Sequence, residues 1–165
     1  MSLGADIDTG QPEIGYDAIE AQEPTHPKTR QLLEYWRARC VDGDVASRRD
    51  INPLDMPALM GGMFVVEPVD GGADMRYRLI GAANEQRLGM PFTGRRFSEC
   101  YEPKMAADQI AIHNRVMARL KPVVLRGNFL GVDMEYARFE CLYLPVRAET
   151  GFQVFGGLYD MAQQG

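Results

Sequence analysis

The chain has 165 residues, of which 45% are hydrophobic and 25% are charged, as expected of one globular domain. Its 18 basic and 23 acidic side chains give a formal net charge of −5. Proteins that bind nucleic acid usually carry an excess of positive charge to contact the phosphate backbone, so this balance argues against nucleic acid as a partner. Three widely spaced cysteines predict neither a disulfide framework nor a zinc site, and the lack of a secretory signal or a long apolar run predicts a cytoplasmic protein without a membrane partner.

Residues 1–25 are predicted to form an acidic flexible arm. They contain six acidic side chains and no basic one, and their few apolar positions follow no period. The pair His26-Pro27 then favours the start of a helix over residues 26–41, because proline suits the first helical turn. One side of this helix is apolar, and we expect it to pack either on the chain's own sheet or on a second subunit. The apolar side carries Leu32, Leu33 and Trp36.

The remaining elements follow from the hydrophobic periods and from the glycines and prolines between them. Two strands are predicted at 63–69 and 75–80, joined by a hairpin signal at 70–72. A short helix at 82–88, a helical turn at 97–101 and a long helix at 103–120 follow, and strands at 123–130, 136–146 and 152–159 end the chain. This order predicts an α+β domain with a five-stranded antiparallel sheet and helices on one face, in addition to the N-terminal amphipathic helix.

The sequence has two pairs of adjacent arginines, at 48–49 and 95–96. We interpret both pairs as part of the solvated surface.

Short motifs of glycine and small residues carry a resemblance to a known family. Gly81-Ala82-Ala83-Asn84 leads into the short helix, and we expect Gly81 to allow a sharp turn and Asn84 to bond free amides at the helix start. Later motifs in the same series are Gly89, Thr93-Gly94-Arg95, Leu144-Pro145-Val146, Gly151 and Tyr159-Asp160-Met161. In this order and spacing they resemble the PAS sensory domain over residues 60–161, and in particular a subfamily of short bacterial PAS proteins.

His113 is the sharpest candidate for a functional residue. It lies in an apolar stripe of the long helix, with Ile110 and Met117 three and four residues away. The residues alone favour a buried histidine with one ring nitrogen paired to a backbone carbonyl. The resemblance implies instead that this helix faces a ligand pocket, and haem-binding members ligate iron with a histidine there. Haem bound through His113 is therefore one hypothesis for a cofactor that the sequence otherwise leaves unknown.

Two predicted strands supply further pocket candidates. Strict alternation places Leu79 on the same face as Tyr77 and opposite Arg78. On a later strand Arg138 shares a face with Glu140, either as a cross-strand surface pair or, if the long helix covers that face, as charges that need partners and favour a polar or anionic ligand. The strand candidates for ligand binding are Tyr77, Arg78, Tyr136 and Arg138.

The resemblance implies a cytosolic sensory or regulatory module that binds a small molecule, a regulatory protein partner or both, and signals through altered protein association. We expect a homodimer or partner contact through Leu32, Leu33 and Trp36. No hydrolase or nucleotide-binding motif occurs, so no catalysis is predicted. Two alternatives stay open, namely a small-molecule enzyme with His113 as general base and an interaction protein with a filled core.

Overall fold

The structure is a computed structural model that describes residues 15–89, 91–130 and 138–161. Its helices are α1 (Pro27–Arg39), α2 (Ala82–Leu88), α3 (Phe97–Cys100) and α4 (Pro103–Arg119). Its strands are β1 (Gly15–Ala21), β2 (Met63–Val69), β3 (Asp74–Ile80), β4 (Val123–Leu130), β5 (Arg138–Arg147) and β6 (Phe152–Asp160). They form one antiparallel sheet in the order β1-β4-β5-β6-β2-β3. The predicted α+β class with an antiparallel sheet is therefore confirmed.

The sheet has six strands in the described residues, whereas five were predicted. The additional strand, β1, lies within the predicted acidic arm and pairs with β4 along all seven of its residues. Tyr16 and Ala18 pack from β1 against the core, while Ile19 is 69% exposed, as expected of an edge strand with one solvated face. The prediction of a flexible arm is therefore wrong for residues 15–21. The rest of that arm, residues 1–14, lies outside the described residues.

The sheet separates two apolar layers. Met63 and Val65 of β2 pack in the layer that contains α1, whereas Phe64 and Val66 pack in the layer that contains α3 and α4. This alternation follows from the period of two residues along a strand. Helices α3 and α4 therefore cover one face of the sheet, and α1 covers the opposite face.

Helix α1 packs on the chain's own sheet. It begins after His26, whose imidazole accepts a hydrogen bond from the amide two residues later at 3.0 Å. Leu32, Leu33 and Trp36 are 0%, 6% and 6% exposed, and the Trp36 indole donates to the carbonyl of Pro145 at 2.8 Å. The prediction that these side chains form a dimer or partner contact is wrong for this fold, because the sheet already covers them. The oligomeric state itself stays a prediction.

A buried carboxylate holds the start of α1. Glu140 of β5 is 0% exposed and accepts hydrogen bonds from the backbone amides of Thr25 and His26 at 2.9 to 3.1 Å. Arg126, its cross-strand neighbour on β4, donates to it at 2.8 Å. Burial alone raises the pKa of Glu140, but the bonds from Thr25, His26 and Arg126 outweigh burial and lower it overall. The carboxylate is therefore charged at neutral pH and ties α1 to the centre of the sheet.

The turn from β3 into α2 depends on close packing more than on an unusual backbone angle. Gly81 has φ −67°, which any residue adopts, but a Cβ there would lie 2.3 Å from the carbonyl oxygens of Met60 and Gly61. Gly89 has φ 77° and ends α2 in the left-handed conformation, as predicted. Asn84 does not bond the amides at the helix start; its side chain instead donates to the carbonyl of Gly62 at 2.8 Å.

Candidate functional site

A small interior cavity lies between helix α4 and the sheet. Its volume is about 70 Å³, and its walls come from all six strands together with α2, α4 and the segment just before α4. Most lining side chains are aromatic or aliphatic, and the polar ones present amide, imidazole, thiol and phenol groups. A cavity lined by His113 and by strand residues favours sensing or catalysis over an interaction protein with a filled core.

His113, one of the residues that line this cavity, carries a buried hydrogen-bond acceptor without a partner among the described residues. Its side chain is 2% exposed, and its Nδ1 lies 2.7 Å from the carbonyl oxygen of Gln109. Because a carbonyl only accepts, Nδ1 carries the proton and Nε2 is left with a lone pair. Burial lowers the pKa of the imidazole to about 4, so the ring is neutral at pH 7. Within the described residues, Nε2 is buried and has no hydrogen-bond partner.

Asn84 of α2 presents a second acceptor of the same kind. Its side chain is 2% exposed and lines the cavity. Because Nδ2 donates to the carbonyl of Gly62, Oδ1 is the remaining polar atom, and it is buried without a partner in the part of the chain that the structure describes. An unsatisfied buried acceptor costs about 1–3 kcal/mol. Two residues on different helices that line one cavity therefore each carry a buried acceptor without a partner among the described residues.

Phenol groups complete the polar lining. The hydroxyls of Tyr77 and Tyr101 lie 2.5 Å apart, and burial raises the pKa of both, so both are protonated at pH 7. One of the two hydroxyl protons forms the hydrogen bond between these oxygens, and the other hydroxyl proton can be donated to a different acceptor. Gln109 links two further hydroxyls, since it donates to Tyr16 at 3.1 Å and accepts from Tyr143 at 3.2 Å.

The cavity carries no ionised side chain among its described lining residues. Burial raises the pKa of the Cys141 thiol to about 12, so this group is neutral as well. A charged ligand would lose its hydration without gaining an opposite charge, which is costly. The cavity therefore suits a neutral molecule.

The structure places the predicted site residues in different positions relative to the cavity. His113 and Tyr77 line the cavity, whereas Ile110 and Met117 are half-buried in the same apolar layer and are not among its lining residues. Tyr136 lies outside the described residues. That His113 and Tyr77 bind a ligand stays a prediction, because the structure shows only where they lie.

Arg78 is exposed and lies away from the cavity, on the face of β3 opposite Tyr77. The pairing of β2 with β3 is irregular beside it. Val65 lies opposite Leu79 and the next residue, Val66, opposite Tyr77, so Arg78 is a bulged residue. The bulge places Tyr77 in the cavity layer and Leu79 in the α1 layer, which corrects the alternation that predicted one face for both.

Arg138 is also exposed and lies away from the cavity. It begins β5, two residues before Glu140, on the α1 face of the sheet. The predicted pairing of these two charges is wrong, since Glu140 pairs with Arg126. The charges that were predicted to select an anionic ligand therefore do not reach the cavity.

Sequence reasoning missed several lining residues. Asn84 was interpreted as a cap, and Tyr101, Gln109 and Tyr143 were not singled out, although all four line the cavity. A partial signal exists for Gln109, which lies four residues before His113 on the same side of α4. The other three are brought to the cavity by long-range packing that no local pattern specifies.

Haem does not fit this site. The cavity of about 70 Å³ is far smaller than the roughly 300–1,000 Å³ of sites that hold drug-sized ligands. The imidazole is also enclosed by the rings of Phe97 and Tyr143, whose centroids lie 5.0 and 5.2 Å from its own. In the described ranges, no group of three or more His, Cys, Asp or Glu side chains could hold a metal ion.

The pKa of about 4 also bears on the enzyme alternative. A general base acts best when its pKa is near the working pH, and an imidazole with this pKa is a weak base at pH 7. Its Nδ1 proton is held by a backbone carbonyl, and no carboxylate lines the described cavity to orient the ring for proton transfer. The geometry therefore gives no support to His113 as a general base.

The fold and the cavity together define a class of protein, an α+β domain in which a long helix and an antiparallel sheet hold a small interior site. A family model described as PAS domain matches residues 24–159, and the chain belongs to the PAS domain family. The resemblance over residues 60–161 is thus confirmed, and the match includes helix α1. PAS domains are sensory or regulatory modules and are generally not catalytic.

No curated protein and no solved structure matches the chain. Of the helices in the described residues, none combines the length and the apolar character needed to cross a membrane.

Proposed function

We propose that this PAS domain is a sensor that binds a small neutral molecule in the cavity beneath α4. One observation carries the proposal: His113 Nε2 and Asn84 Oδ1 are both buried acceptors without partners among the described residues, and both side chains line the same cavity. Buried polar groups in folded proteins almost always have a partner. A bound molecule with N–H or O–H groups would supply the donors that the protein does not.

The cavity limits the class of this molecule. Its volume of about 70 Å³ is about half that of an apolar cavity known to accept benzene. The aromatic and aliphatic lining favours a molecule with an apolar part, and the two acceptors favour an amide or alcohol group. A small neutral amide or alcohol therefore fits better than an acid, an amine or a cofactor.

We further propose that the signal leaves through altered protein association, by way of β5 and α1. Cys141 and Tyr143 face the cavity from β5, while Glu140, on the other face of the same strand, holds the start of α1. A shift of β5 on ligand binding would move the carboxylate that positions α1. A second copy of the chain or a regulatory protein would then meet a changed surface.

Native mass spectrometry of freshly purified protein tests the binding proposal. We expect an additional small mass on the wild-type chain and on Met117→Leu, a matched variant of α4 whose residue does not line the cavity. The same mass should be absent from His113→Phe, which removes one acceptor.

A second measurement tests binding even if the natural ligand is lost during purification. Acetamide and 1-propanol, two small neutral donors, should shift the ¹⁵N resonance of His113 Nε2 as they bind. If no added mass is found and neither probe moves that resonance, the proposal is overturned.

A further inference from the structure

A second concave site lies on the opposite face of the sheet from the cavity. It is a groove of about 790 Å³ between the segment 47–49, strands β2, β3 and β6, and the turn from β5 to β6. We call it the arginine groove, because four arginines and two glutamates are among its lining residues. Its volume lies within the roughly 300–1,000 Å³ of sites that hold small organic ligands. The arginines are Arg48, Arg49, Arg78 and Arg147.

Two of these arginines already have carboxylate partners. Arg147 donates to the carboxylate of Asp44 through Nε at 3.1 Å and Nη2 at 2.8 Å. Arg78 lies 3.5 Å from Glu67, but Glu67 also pairs with Arg76 at 3.2 Å. One carboxylate thus serves two arginines, and Arg78 is only partly neutralised.

The other two form no ion pair with any described residue. Arg48 is half-buried, and Nη1 donates to the carbonyl of Ile51 at 3.0 Å, which fixes the guanidinium while leaving its other N–H groups to bind. Burial, and next the positive charge of Arg78, lower the pKa of Arg48, so the two cations lie close enough to repel. A partly desolvated cation beside another cation is costly unless an anion neutralises both.

We propose that the arginine groove binds a small organic anion, a carboxylate or a phosphate monoester, with its head group between Arg48 and Arg78. The planar guanidinium matches both head groups through paired N–H donors. The half-buried Leu79 of the groove provides apolar surface for the rest of the ligand. This site lies on the other face of the sheet from His113, so the inference does not rest on the proposed function of the cavity.

Titration of the ¹⁵N-labelled chain of residues 1–165 tests this inference. The probes are benzoate, phenyl phosphate and the neutral benzyl alcohol, each added at constant ionic strength. We expect at least one of the two anions to give saturating shifts of amides at 47–49, 78–79 and 147–153, and benzyl alcohol to give none there. Comparison of benzoate with phenyl phosphate identifies the preferred head group.

Variants decide whether the named arginines hold the anion. Arg48→Gln and Arg78→Gln should each weaken anion binding about tenfold or more, the effect of losing one charge-assisted pair. Arg37→Gln, which removes an exposed arginine of α1 outside the groove, should leave the affinity unchanged. Arg78 is itself exposed, so its substitution tests the site even if Arg48→Gln disturbs the fold.

Three results would each overturn the inference. The first is that neither anion gives a saturating shift at concentrations up to about 10 mM, which would exclude a dissociation constant in the low millimolar range or tighter. The second is an equal response to benzyl alcohol. The third is an equal loss of affinity in Arg37→Gln, which would show a general effect of net charge.

Discussion

Replacing His113 with phenylalanine should change how the stability of this chain depends on pH. Burial lowers the pKa of the folded imidazole from 6.5 to about 4, whereas the unfolded side chain titrates near its ordinary value. Between these two pH values the unfolded chain binds a proton that the folded chain excludes. The histidine therefore favours unfolding increasingly as the pH falls from 6.5 towards 4, and phenylalanine removes this effect.

The size of the effect follows from the two pKa values. The difference between 6.5 and about 4, at about 1.4 kcal/mol for each pKa unit, corresponds to about 3–4 kcal/mol of free energy of unfolding once the pH is below both values, and to about 3 kcal/mol at pH 4, where the folded imidazole is half protonated. At pH 7 the variant loses the bond to Gln109, worth about 1 kcal/mol, but also removes an unpartnered acceptor that costs about 1–3 kcal/mol. We expect the variant to be at least as stable as wild type at pH 7, and its relative stability to rise by about 3 kcal/mol at pH 4.

Urea unfolding followed by circular dichroism at pH 7, 5.5 and 4 measures this difference. Carboxylates that titrate in the same range contribute equally to both chains and cancel. The control is His26→Asn, which removes the other histidine while keeping a side-chain acceptor at the start of α1. The reasoning is refuted if the curves for wild type and His113→Phe stay parallel from pH 7 to pH 4.

Three further predictions concern the packing that positions the cavity. Glu140→Gln should cost about 3–5 kcal/mol in urea unfolding, because it leaves Arg126 without its buried partner, whereas Glu34→Gln, at a pair whose side chains are 71% and 59% exposed, should change little. Gly81→Ala should lower the thermal midpoint by the equivalent of about 1–3 kcal/mol, because its Cβ has no room beside two backbone carbonyls; an unchanged midpoint would contradict the close approach. Leu32→Ala should cost about 2–5 kcal/mol at any protein concentration, since the residue packs within the chain. A loss that grows on dilution would indicate a subunit contact instead.

Local signals in the sequence predicted most of the helices and strands. Proline opens α1 and α4, and a left-handed glycine ends α2, so these boundaries are specified by residues that permit few alternatives. Strand β1 was missed for the opposite reason. It lies in a segment whose charged side chains are all acidic, and it becomes a strand by pairing with β4, more than a hundred residues later in the chain. Such pairing leaves little local trace, especially at a sheet edge.

Residues of the candidate site could be predicted only where the pattern of a single helix or strand determined their position. His113 stood out because the long helix has a clear apolar stripe, and Tyr77 because it lies on a predicted strand. Leu79 was placed on the wrong face because a bulge at Arg78 changes which side chains of β3 face inwards, and a bulge depends on the register with the neighbouring strand. Asn84 was recognised as a turn residue, but its partner, Gly62, lies 22 residues earlier in the chain.

At the cavity, the proposed binding of a small molecule and the stability of the fold would oppose each other. A leucine or phenylalanine at position 113 would fill space in an aromatic environment and leave no acceptor unpaired, so stability alone gives no reason for an imidazole there. Stability alone gives no reason for Asn84 either, because only one of its two polar side-chain atoms forms a hydrogen bond within the described residues. Residues that lower stability while presenting matched chemistry to one cavity are expected at functional sites. A His113→Phe chain that is more stable at pH 4 but no longer retains the small molecule would separate the two effects, because a purely structural histidine would change stability without changing the bound mass.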